Sequence, residues 1–273
     1  MTIVVSITIP EGIVFAADSR QTYTNSHSDV RVSSDNAVKL FQLNDRIAAA
    51  TYGWAFMDGR NILSHVKDFK VQLKNANISV SEMTRQLGEY LTDIYQRGID
   101  NKVDTPVEDG NYAVGMLVGG YDPGGRQGQV YELYIPKGES ILRRTSDESP
   151  GSAWRGHTPV ISRLLRGFDP RIEELDNYNE PLAKQLDEGK LSYQIDYWTM
   201  TAQDAVDFAL FLVHTTTQMQ RFSDGIGLYP GAPANCGGPI DIVFIEPVKG
   251  MEWVQSKRLH ASRAGEITWN GET

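Results

Sequence analysis

One cysteine in 273 residues leaves no partner for an intramolecular disulfide and no thiolate set for a zinc site. The five histidines, His27, His65, His157, His214 and His260, show no ligand spacing, so no metal is expected. No stretch approaches the roughly 18 apolar residues that span a bilayer, and a membrane location is not expected. Positive charge is also short: 26 Lys+Arg stand against 35 Asp+Glu, a net charge of −9. A broad nucleic-acid footprint needs a basic face that displaces counterions, so nucleic acid is not expected as a partner. There is no G-x-S-x-G, which removes the sequence support for an α/β-hydrolase. What remains, 40% hydrophobic and 22% charged, is an ordinary globular balance. The opening MTIVVSITIPEG has no basic start, and its apolar run breaks at Pro10 and Glu11, unlike a signal peptide. With the lone cysteine, that points to a reducing, cytoplasmic setting and to a chain that folds from its first residues.

Strand signals come first. Thr2–Thr8 and Gly12–Asp18 are β-rich and flank a Pro10-Glu11-Gly12 turn, and Val38–Leu43 and Arg46–Tyr52 make a second pair. Ser19–Ala37, rich in Ser, Thr, Asn and Asp, reads as a loop. The apolar spacing predicts a helix over Ala55–Leu73. A second helix is expected after Ser79, where Ser79 and Glu82 match a capping box, and it should run to Gly98. Strands follow over 112–121 and 129–135, with another at Ile141–Thr145. Pro150–Gly156 then leads to a helix at His157–Arg166. Asp169–Trp198 is polar and without period, a long helix is expected from Thr201 to Met219, and two strands close the chain, PIDIVFIEP and Glu252–Gln255. Blocks of strands and helices in this order predict an α+β layered fold, with residues 1–273 as one domain.

Most chemistry-bearing residues have a plain explanation. Asp122-Pro123-Gly124-Gly125-Arg126 resembles a phosphate loop, but it joins two strands, with no helix N-terminus to hold an anion. Cys236, in Asn235-Cys236-Gly237-Gly238, has no histidine near it in sequence and reads as a small buried residue. Thr2 is different. Removal of Met1 would leave a threonine carrying both a hydroxyl and its own α-amine. That amine titrates near pH 7.7–8.0, so it can serve as a general base at neutral pH. Asp18 ends the second strand, where the hairpin returns it toward Thr2, and Lys39 lies in the third.

Together, Thr2, Gly12–Arg20, Lys39 followed by Leu40-Phe41-Gln42-Leu43, and Ala50-Thr51-Tyr52-Gly53 resemble the proteasome β-type N-terminal threonine hydrolases. The similarity is closer to bacterial proteasome homologues of the ancestral-beta-subunit kind, which also begin Met-Thr. It continues in Gly119-Gly120-Tyr121-Asp122, in Pro150-Gly151-Ser152 and in Cys236–Asp241. The resemblance implies a four-layer αββα sandwich, two antiparallel sheets flanked by helices, and a threonine-type endopeptidase that needs no cofactor. Thr2 would be the nucleophile and Asp18 the partner of Lys39, whose charge keeps the nearby amine neutral. Gly53 would donate to the oxyanion and Ser152 would be the supporting serine. The supporting Asp and second Ser have no single match. Aligning on Gly237-Gly238 offers Cys236 and Pro233, and aligning on Arg221–Gly225 offers Ser223 and Gln220. Thr51 and Ala55 match the first specificity pocket and Thr22 a substrate-strand contact. The implied partners are a peptide or unfolded-protein substrate, further copies in a homo-oligomeric ring or spiral, and an ATP-dependent unfoldase. Two alternatives stay open: a catalytically silent ring subunit, and an amidase or transpeptidase that passes the acyl group to an amine.

Overall fold

Uninterrupted burial runs through both opening strands: every residue of Ile3–Ile9 and Gly12–Ala17 is buried in the computed structural model, which describes residues 2–24, 30–73, 75, 77–226 and 229–258. These strands are β1 and β2. Next come β3 (Gln21–Thr24), β4 (Val30–Ser34), β5 (Leu40–Gln42), β6 (Ile47–Gly53), β7 (Phe56–Met57) and β8 (Arg60–Asn61). Helices α1 (Ile62–Gln72) and α2 (Val80–Asp100) lead to β9 (Val114–Tyr121), β10 (Gly128–Ile135), β11 (Ser140–Thr145) and β12 (Gly151–Gly156). Helices α3 (Pro159–Arg166), α4 (Glu180–Asp187) and α5 (Ala202–Phe222) precede β13 (Gly225–Ile226), β14 (Tyr229–Pro230), β15 (Asp241–Glu246) and β16 (Gly250–Gln255). No helix among the described residues is long and apolar enough to cross a membrane.

The strands form two five-stranded antiparallel sheets, ordered β12-β1-β2-β15-β16 and β11-β10-β9-β6-β5. A strand sends alternate side chains to opposite faces, so one buried on both faces must be covered twice. In β1 and β2, Ile3, Val5, Ile7, Ile9, Val14 and Ala16 share one core with Ile161 and Leu165 of α3 and with Ala205, Ala209, Leu212 and Val213 of α5. The intervening Val4, Ile13, Phe15 and Ala17 meet Ala48, Ala50, Leu117 and Val130 of the other sheet. That sheet turns Ile47, Ala49, Met116 and Val118 to a third core, closed by Val66 and Phe69 of α1 and Met83, Leu87, Leu91 and Ile94 of α2.

Several elements differ from the sequence expectation. Ser19–Ala37 holds the β3–β4 hairpin, whose tip lies outside the described residues. Its exposed Val30 and Val32 have no core to face, so no burial pattern marks them as strand. The segment expected as one helix from Ala55 first makes the β7–β8 hairpin, turning at Asp58-Gly59, where both residues have positive φ. Asn61 then caps α1, its side chain accepting from the Ser64 N–H at 2.8 Å. Ser79 caps α2 as expected, but Glu82 does not reach back; it binds Arg85 and Gln86. The reciprocal box forms instead at Thr201 and Asp204. Pro150–Gly156 is largely a strand: β12 pairs with β1 from Ile3↔Gly156 to Thr8↔Gly151. The polar stretch after Asp169 contains a 3₁₀ turn, Pro170–Glu174, and α4.

A charged group lies inside this apolar frame. The Glu132 side chain is wholly buried and accepts from Tyr52 at 2.6 Å, Arg143 at 2.6 Å and Arg155. Burial alone would raise its pKa, but the hydrogen bonds from Arg155 and Tyr52 outweigh it and hold the carboxyl at about 2. Because the folded value is depressed, its stabilisation is complete above the unfolded carboxylate range and is lost as pH falls toward 2. Glu132→Gln leaves two part-buried guanidinium groups without a counter-charge and should cost about 3 kcal/mol near neutrality. In urea unfolding, the gap between wild type and variant should hold from pH 7 to 5 and narrow between pH 4.5 and 3; an unchanged gap at pH 3 would contradict the role assigned to Glu132.

Candidate active site

The carboxylate of Asp18 is where distant parts of the chain meet. Its side chain is fully buried at the end of β2 and accepts four hydrogen bonds. Oδ1 takes the Ile3 N–H at 3.0 Å and the Lys39 ammonium at 2.7 Å, and Oδ2 takes the N–H of Arg20 at 3.1 Å and of Gly237 at 2.9 Å. Lys39 immediately precedes β5 and is 5% exposed, an unusual depth for a lysine. Its carbonyl accepts the Thr51 N–H at 2.9 Å, which ties the Lys39 backbone to the end of β6.

Thr2 enters β1 beside this pair. Asp18 and Ile3 exchange bonds, the Asp18 N–H donating to the Ile3 carbonyl at 3.2 Å, so the strand is fixed one residue after Thr2. On the other side the Thr2 carbonyl accepts the His157 N–H at 2.7 Å. Gly156 makes that approach feasible: its φ is +91°, and a Cβ there would fall 1.8 Å from the Thr2 oxygen. The Thr2 hydroxyl makes no hydrogen bond to a described residue.

Thr2 and Lys39 open into a groove of about 820 Å³ that also takes in Thr22, Thr51, Gly53 and Ala55. Gly53, which lines the groove, ends β6 at φ +91°, and a Cβ there would fall 2.5 Å from the Ala113 carbonyl, so the position requires glycine. Exposed Phe56 and Val103 stand on its rim. The groove therefore combines the Thr2 residue, the buried Lys39 and apolar side chains such as Phe56 and Val103.

Ser152 is not part of it. It pairs with Ile7, roughly 17 Å along the strand from Thr2 at about 3.4 Å per residue, and its hydroxyl meets Tyr197 at 2.7 Å. The physical reason is the length of β12: the chain stays extended through Gly156, so Gly156 and His157, not Ser152, reach Thr2. Ser223 lines, with His157, a separate cavity of about 330 Å³, its hydroxyl donating to the Gly225 carbonyl. Cys236 is 1% exposed, and burial raises its thiol pKa, reinforced by the Asp18 carboxylate, so it stays protonated at neutral pH. Its N–H donates to Gln220 at 2.7 Å. The segment Asn235–Gly238 does reach the site, through the Gly237 N–H. Sequence reasoning missed Gly156, His157 and Gly237, all of which act through backbone groups. The visible signals were the Gly at 156 and the Gly-Gly pair at 237–238.

Arg20 and Asp35 brace the loop beside Lys39 through bonds of 2.7 and 3.0 Å, which raise the arginine pKa and lower that of Asp35. The His157 imidazole is pushed down to about 4 by burial, aided by Arg171. A depressed folded value means stability is complete above the unfolded histidine pKa near 6.5 and is lost as pH falls toward 4. Relative to His157→Gln, the wild type should lose urea stability across pH 6.5–4; parallel curves would show that the imidazole does not titrate in this way.

The family model described as "Proteasome subunit" aligns with residues 2–140, just over half of the chain, and no curated protein matches it. The aligned residues include Thr2, Asp18, Lys39 and Gly53, while Gly156, His157 and Gly237 lie beyond them. The chain belongs to the proteasome subunit family.

Proposed function

We propose that this chain is an N-terminal-threonine peptidase subunit, a threonine-type endopeptidase. The observation that carries the reading is the buried Asp18–Lys39 ion pair opening on the groove where Thr2 begins β1. Once Met1 is removed, the Thr2 hydroxyl attacks a peptide carbonyl while its own α-amine accepts the hydroxyl proton. The Lys39 ammonium repels a second positive charge and so keeps that amine unprotonated. The Gly53 N–H donates to the developing oxyanion. Collapse expels the leaving amine, which takes the proton from the α-amine, and leaves an ester on Thr2. Water then gives a proton to the amine and attacks the ester, and collapse releases the acid while the amine passes that proton to the departing Thr2 oxygen, restoring hydroxyl and neutral amine. Thr22, Thr51 and Ala55 would contact the peptide.

The three cores fit a four-layer αββα sandwich built from a single domain, residues 1–273. Membership in the family favours assembly of copies into a ring or spiral, an ATP-dependent unfoldase as feeder and a cytoplasmic setting. One observation favours the silent-subunit reading instead: the segment pressed against Asp18 brings a buried, protonated Cys236 where a supporting hydroxyl was expected, and Ser152 lies elsewhere.

Intact mass and a fluorogenic peptide panel decide between them. The peptidase reading expects protein lacking Met1, and a Thr2→Ala variant slower by at least about 10³-fold. Retained Met1, or cleavage that survives Thr2→Ala, would overturn it. Clean loss of Met1 with no turnover and no labelling by hydroxyl-directed electrophiles would leave the silent subunit. Amide formation from an added amine would identify acyl transfer.

A further inference from the structure

Four arginines converge on a cavity that the proposed chemistry does not use. Between β11, β12 and α3 lies a space of about 320 Å³ lined by Arg143, Arg144, Arg155 and Arg166, together with Ser152, Thr158 and Ser162. Glu132 is the carboxylate that neutralises part of this group, and it is shared by Arg143 and Arg155. The neighbouring Asp169 is taken up by Arg163 and Arg171.

Arg144 and Arg166 have no ion pair among the described residues. Arg144 spends its two terminal nitrogens on main-chain oxygens, those of Arg143 at 3.0 Å and Ser152 at 3.2 Å, and its Nε is buried without an acceptor. Burial lowers its pKa, and the charges of Arg143 and Arg155 add to that. Arg166 stands exposed at the end of α3. Hydroxyl donors stand around the same space: Ser152 and Tyr197 share one bond at 2.7 Å, Ser162 accepts from the Trp154 indole at 3.4 Å, and Thr158 makes no capping bond to α3.

Two of these guanidinium groups share the single Glu132 carboxylate and the other two have none among the described residues, so the cluster holds more positive charge than the carboxylate beside it neutralises. Guanidinium forks match the geometry of tetrahedral and planar oxyanions, and hydroxyls complete such a shell. We infer that this pocket binds a small multivalent oxyanion, of the phosphate or polycarboxylate class, between Arg144, Arg166 and the outer faces of Arg143 and Arg155. The site is separate from the groove of Thr2 and does not depend on peptidase activity. Arg155 lies two residues before His157, whose N–H holds the Thr2 carbonyl, so an occupant would touch the strand that leads into that contact.

Calorimetric titration of the full chain with inorganic phosphate, and separately with citrate, at ionic strength held constant with chloride, tests this. Saturable binding is expected, together with a thermal midpoint rising by about 2–4 °C per tenfold excess over the dissociation constant. Arg166→Gln, at an exposed position that should not disturb folding, and Arg144→Gln should each weaken binding at least about tenfold. Equal responses to chloride and phosphate, or undiminished affinity in Arg166→Gln, would overturn the assignment. Sedimentation of the same samples separates the sources of the oxyanion. Assembly indifferent to Arg166→Gln supports a free ligand. No phosphate binding, with assembly lost in the variant, would give the pocket to a carboxylate of a neighbouring copy and overturn the free-ligand site.

Discussion

Asp18 sits wholly out of water with four donors arranged around its two oxygens, and those donors come from four places far apart in the sequence. An ionised carboxylate at that depth is tolerable only because the Lys39 charge and three backbone N–H groups replace its lost hydration. The consequence is geometric. The first strand, the turn after the second, the approach to β5 and the loop before β15 are all located by one side chain. Withdrawing any one of these leaves a buried charge short of a partner, so the site and the fold around it stand or fall together.

A second buried carboxylate does similar work on the opposite flank. Glu132 joins Tyr52 of β6 to Arg155 of β12, which spans the two sheets. Tyr52 precedes Gly53, and Arg155 precedes Gly156. Gly53 lines the groove and Gly156 abuts the Thr2 carbonyl, so the spacing of both segments is set by hydrogen bonds with defined length and direction, whereas the apolar layers around them would tolerate sliding. Non-directional burial supplies the bulk of the stability and the two carboxylates supply the register.

What could be read from the sequence follows from how each feature is encoded. The alternating and continuous apolar strands, β1, β2, β6, β9 and β15, and the helices α2 and α5 announce themselves because their burial is written in side-chain type. The β3–β4 hairpin is exposed, so its residues carry no such mark, and β12 is legible only through its partner β1. The same division applies to the site. Asp18 and Lys39 are conspicuous as charges among apolar residues, and the structure brings them together. Gly156, His157 and Gly237 contribute peptide groups, which every residue possesses, so their side chains do not reveal the role. Ser152 is expected only through the family resemblance of Pro150-Gly151-Ser152, and strand length carries it to the far end of β1.

The two buried carboxylates also constrain how Thr2 is held. Its own carbonyl is gripped by His157, just past the strand anchored through Arg155 to Glu132, while the next peptide is gripped by Asp18. Each grip acts on the backbone and leaves the Thr2 hydroxyl unengaged by any described residue. A hydroxyl presented this way has its position fixed by both neighbours without spending its own hydrogen-bonding capacity, which stays available to a substrate carbonyl and a base. Positioning of that kind costs no reorganisation when a substrate arrives, and it comes from residues that need not touch the substrate at all.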